Sequence, residues 1–125
     1  MSSDKKIPSD EEFAKASAAL RKRSRGLDQV RDRILERFQT SGKLYEFFIL
    51  DSSEYSFRAY VFYRWERQIK KAEESGLAVE IKNTILHELK NVGRGDGETI
   101  HLEVEFDSHE SIEQNYDGDY YSRLH

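Results

Sequence analysis

The residue pattern predicts an α+β domain, with helices laid on one face of a small, mostly antiparallel sheet. Three observations predict it. Apolar residues recur at helical spacing before residue 40 and again from 64 to 91. Two aromatic and branched runs, 43–50 and 55–63, flank a short polar turn. Ile100, Leu102, Val104 and Phe106 then alternate with polar residues, as in a half-buried strand.

Residues 1–8 read as a flexible lead-in and 9–125 as a single domain, a size that buries roughly two thirds of its unfolded surface. Ser9 or Asp10 can cap the first helix, and Glu11 and Glu12 suit its positive end. Phe13, Leu20, Leu27 and Ile34 form its apolar stripe with Ala16, Val30 and Phe38, and Gly26 weakens or divides it. The stripe permits a homodimer, although packing on the chain's own sheet explains it more simply. The run 43–50 is apolar on both sides except at Glu46, which suggests a central strand. In the next run Tyr55, Phe57, Ala59, Val61 and Tyr63 share one face, with Ser56 and Arg58 on the other. Ser75-Gly76 divides the second helical region, and the glycine-rich segment 93–97 connects it to the third strand. Ser108 can cap a short helical turn through Glu113, Asp117-Gly118 marks a turn, and 120–124 reads as a last short strand.

Composition narrows the function classes. Apolar residues make up 37% and charged residues 35%, but seven Phe, seven Tyr and one Trp supply a core, so wholesale disorder is excluded. Without cysteine there is no disulfide framework and no thiolate metal site, and a reducing, cytoplasmic setting is expected. The longest apolar run, Phe47 to Leu50, is far short of a membrane span. Charge is uneven: ten basic residues face seven acidic ones in 1–42, six face four in 43–71, and four face thirteen in 72–125. Such a split can steer an oppositely charged partner.

The outward face of the third strand carries His101, Glu103, Glu105 and Asp107, which could meet a basic partner or, with ligands from a second element, a metal. Beyond it His109, Tyr116, Asp117, Asp119 and Tyr120 combine acids with tyrosines, which bury large area at little entropic cost. Asp107 and His109 have the composition of an acid/base pair, but no nucleophile elbow, cysteine or phosphate-binding glycine loop accompanies them. Trp65, at a strand-to-helix junction, reads as a core anchor. Arg21, Lys22, Arg23 and Arg25 form a basic run suited to phosphates.

The leading expectation is a protein-binding module without catalysis or cofactor. One form is an immunity-type inhibitor that covers a basic effector through Glu103, Glu105, Asp107, His109, Tyr116, Asp117, Asp119 and Tyr120. The alternatives are a nucleic-acid-associated protein using the basic run, and a metal-dependent hydrolase using the His101/Glu103/Glu105/Asp107 face.

Overall fold

The computed structural model describes residues 24–125. The lead-in, the first half of the N-terminal helix with its caps, and Arg21, Lys22 and Arg23 lie outside the described residues. The elements run α1 (Leu27–Ile34, continued by a π-helical turn, Leu35–Gln39), β1 (Glu46–Ser53), β2 (Ser56–Tyr63), α2 (Arg67–Ser75), α3 (Leu77–Asn91), β3 (His101–Ser108), α4 (His109–Tyr116) and α5 (Tyr120–Leu124). No helix among them is long and apolar enough to cross a membrane.

Gly26 does break the first helical pattern: it holds φ +78°, and α1 starts at the next residue. From there Leu27, Val30, Ile34 and Phe38, three or four apart, bury one side of the helix against the sheet. The β1–β2 hairpin pairs Glu46 with Phe62 and Leu50 with Arg58, and slips once between Asp51 and Ser53. Gly76, at φ +86°, divides α2 from α3.

The α+β class and the order of elements hold, whereas the sheet is mixed. Its order is β1-β2-β3, with β1 antiparallel and β3 parallel to β2. A parallel neighbour needs a long crossover, and α2 and α3 together return the chain to the starting edge. β2 is therefore the central strand, not β1. The two-sided apolar pattern of β1 has another cause, because helices cover both faces of the sheet. On one face Phe47, Ile49, Phe57, Ala59, Val61 and Tyr63 pack with α1, α2 and α3. On the other, Phe48, Tyr60 and Phe62 meet Ile112, Tyr116, Tyr120 and Leu124 from α4 and α5.

The expected last strand, 120–124, is the helix α5. Asp119 caps it by accepting from the N–H groups of Tyr121 and Ser122, and Tyr120 and Leu124, four apart, face the second core together. Tyr120 meets Phe62 edge-on at 4.8 Å.

Tyr63 is buried and stacks on Phe106, but its hydroxyl has no hydrogen-bond partner among the described residues. Burial pushes that hydroxyl's pKa up to about 12. An unmet buried hydroxyl is a cost that phenylalanine avoids. Tyr63→Phe should leave urea stability unchanged or raise it by up to about 1 kcal/mol; a loss above about 1 kcal/mol would reveal a missed partner for the hydroxyl.

Candidate functional site

The acidic row of β3 projects from the same face of the sheet as the second core, beside α5. His101, Glu103, Glu105 and Asp107 share that face, but two arginines are threaded between the carboxylates. Arg58 of β2, in register with Glu103, lies 2.8 Å from that carboxylate and 3.7 Å from Glu105. Arg123 of α5 reaches Glu105 at 3.2 Å and Asp107 at 2.8 Å, with its guanidinium over the ring of Tyr60. The hydrogen bond from Arg58 holds the Glu103 carboxyl below its ordinary pKa. His101 stands at the open end of the row, 4.0 Å from Glu103. Among the described residues no group of three or more His, Asp or Glu side chains is placed to hold a metal ion. Adjacent same-face positions on one strand diverge, and the arginines fill the intervals.

Asp107 and His109 do not form a pair. Asp107 accepts from Arg123 and from the N–H of Ser108. His109, past the end of the strand, lies 2.6 Å from the Tyr120 hydroxyl through Nδ1 and 2.7 Å from Glu113 through Nε2. A neutral ring satisfies both contacts if Nε2–H donates to Glu113 and Nδ1 accepts from Tyr120. The ring stacks on Tyr45 at 4.4 Å and on Tyr120 at 5.7 Å. Ser108 is buried at the start of α4, accepting from the N–H of Ser111 and donating its hydroxyl to Glu66.

The remaining expected residues gather at the corner between α4 and α5. Tyr116 and Tyr120 pack against the second core, and burial pushes the Tyr120 hydroxyl's pKa upward. Asp117 ends α4 in the left-handed conformation at φ +53°, which Asp tolerates better than most residues. The Asp119 carboxyl is held low chiefly by the Ser122 hydroxyl. Tyr121, at the end of the expected acid-and-tyrosine interface segment, is 71% exposed and lies 4.3 Å from the ring of His125. One residue after Tyr120 on α5, its ring is turned to a different side of the helix.

Two further expectations change. Trp65 is not a core anchor: it is 38% exposed, with the guanidinium of Arg64 at 4.1 Å and that of Arg67 at 5.5 Å from its ring. Its backbone N–H donates to the Gln68 side chain, which fixes it at the surface turn into α2. Of the basic run only Arg25 is among the described residues, and it lies 3.2 Å from Glu54. Comparison with protein-family models, curated proteins and solved structures finds no match for this chain.

Proposed function

We propose that this chain is a protein-binding module that presents the α4–α5 corner to a basic protein. One observation carries the reading. Tyr121 is the most exposed large hydrophobic residue among those described, and no Lys or Arg of the described residues pairs with Glu113 of α4 or with Asp117 and Asp119, the caps between α4 and α5. An exposed aromatic at a corner whose carboxylates have no Lys or Arg partner among the described residues fits a cationic surface that also offers an apolar contact. The β3 row, already compensated by Arg58 and Arg123, forms a flank of fixed geometry beside this corner. The specific form we favour is a cytoplasmic, immunity-type inhibitor that sets carboxylates where a basic effector would meet phosphates.

The test is affinity capture from host lysate with nuclease treatment, comparing wild type with a Glu113→Gln/Asp117→Asn/Tyr121→Ala variant. The expected result is a basic protein retained by wild type, resistant to nuclease and lost in the variant. Titration of the purified pair should then show affinity falling at least tenfold in the variant, about the loss that follows from one buried aromatic anchor. Retention that is indifferent to the variant and vanishes with nuclease would overturn the reading in favour of nucleic-acid association.

A further inference from the structure

A second surface, built from opposite charge, lies where β1 enters the sheet and β2 leaves it. The parallel strands β2 and β3 both end at this side, and ligands of open α/β sheets gather beyond the carboxyl ends of parallel strands. A groove of about 480 Å³ here is walled by Gln39, Leu44, Tyr45, Arg64 and Gln68. A neighbouring hollow of about 300 Å³ shares Gly42 and Gln68 with it and adds Lys43 and Lys71.

Arg64 is the central feature. Its guanidinium carbon lies 4.1 Å from the ring centre of Trp65 and 5.6 Å from that of Tyr45. Aromatic contacts of this kind hold a guanidinium by its face and leave its N–H edge free to donate. Among the described residues no carboxylate pairs with Arg64, Lys43 or Lys71. The one acid in the wall, Glu46, is already held at 2.8 Å by Arg31 and also accepts from the N–H of Phe47. The Gln68 side-chain oxygen is taken up by the N–H of Trp65, which leaves its NH₂ group to donate. Gln39 donates to the carbonyl of Tyr45 and keeps its own oxygen as an acceptor.

We propose that the two hollows together bind a small phosphorylated molecule, one phosphate forked by Arg64 with Gln68 and further negative charge met by Lys43 and Lys71. Three cations without a carboxylate partner among the described residues, around two hollows that share Gly42 and Gln68, exceed the demand of a single carboxylate and match that of a diphosphate. The volumes fall in the range of small-molecule sites rather than that of an extended strand. The groove adjoins the α4–α5 corner through the stacking of Tyr45 on His109, but Glu113, Asp117 and Tyr121 line neither hollow, so either proposal can fail alone.

Pyrophosphate, ADP and inorganic phosphate are the probes, titrated at low salt into the full chain and followed by amide and Trp65 indole resonances. Pyrophosphate and ADP should give saturable shifts at Tyr45, Arg64, Trp65 and Gln68. Arg64→Met keeps a long side chain against the rings but removes the fork, and should weaken both roughly tenfold to a hundredfold. Lys71→Met should weaken pyrophosphate more than inorganic phosphate. Arg33→Met, a cation on α1 outside both hollows, should change nothing. If Arg64→Met melts early, Arg64→Lys keeps the charge without the fork and should still lose at least several-fold. The absence of saturable shifts at millimolar probe, or equal binding by wild type and both Arg64 variants, overturns the site. Tighter binding of a single-stranded oligonucleotide than of ADP, steeply weakened by salt, overturns the small-molecule assignment.

Discussion

Arg94→Ala is expected to cost about 3–5 kcal/mol of stability and to lower the melting temperature by roughly 10–20 °C. Arg94 is the largest fully buried side chain among the described residues. One Nη donates to the carbonyl of Arg25 at 2.9 Å, the other to that of Glu54 at 3.0 Å, and the guanidinium lies 4.8 Å from the ring centre of Phe57. It thereby joins the segment entering α1, the β1–β2 turn and the connection from α3 to β3. Alanine would take the charged donor from both carbonyls and leave a cavity beneath Phe57 in place of the guanidinium. Arg94→Lys separates charge from geometry: a single ammonium cannot reproduce the planar fork, so it should recover only part of the loss. Urea unfolding of both variants checks this, and a loss below about 1 kcal/mol in the alanine variant would mean that the carbonyls find other donors.

Arg94 also marks where the sequence is hard to read. Within Gly93-Arg94-Gly95 a charged residue between glycines has the composition of an exposed loop, and its burial depends on residues 40 and 69 positions away in the chain. The same limit applies to the acidic row. The alternation of Ile100, Leu102, Val104 and Phe106 placed His101, Glu103, Glu105 and Asp107 together on one face, because strand parity is local. That Arg58 and Arg123 compensate the row depends on the parallel register of β2 with β3 and on the fold-back of α5, and neither is a local property. Helix breaks at Gly26 and Gly76 and the cap at Ser108 were legible for the opposite reason, since each is set by the conformational freedom or side-chain chemistry of one residue. The 120–124 segment was misread because five residues allow both periods. Asp119, read as an interface acid, is the cap that decides for the helix.

Gly26→Ala tests whether the break before α1 is enforced by packing as well as by backbone conformation. At φ +78° an L-residue carries a strain of about 1–2 kcal/mol. A Cβ there would also stand 2.8 Å from both Cβ and Cγ2 of Val92, where α3 ends. Cβ is fixed to the backbone, so rotation about χ1 moves Cγ2 away but cannot clear Cβ. Relief requires α1 and the end of α3 to separate, and overpacking of this kind costs about 1–3 kcal/mol more. The expected total is therefore about 2–4 kcal/mol. Val92→Gly removes the opposing atoms, and in the double variant it should cancel the packing share while leaving the conformational share in place. A double-mutant cycle by urea unfolding measures that coupling directly. Strict additivity of the two substitutions would show that conformation alone selects glycine at residue 26. A favourable coupling of about 1 kcal/mol or more would show that the start of α1 is fitted against the end of α3.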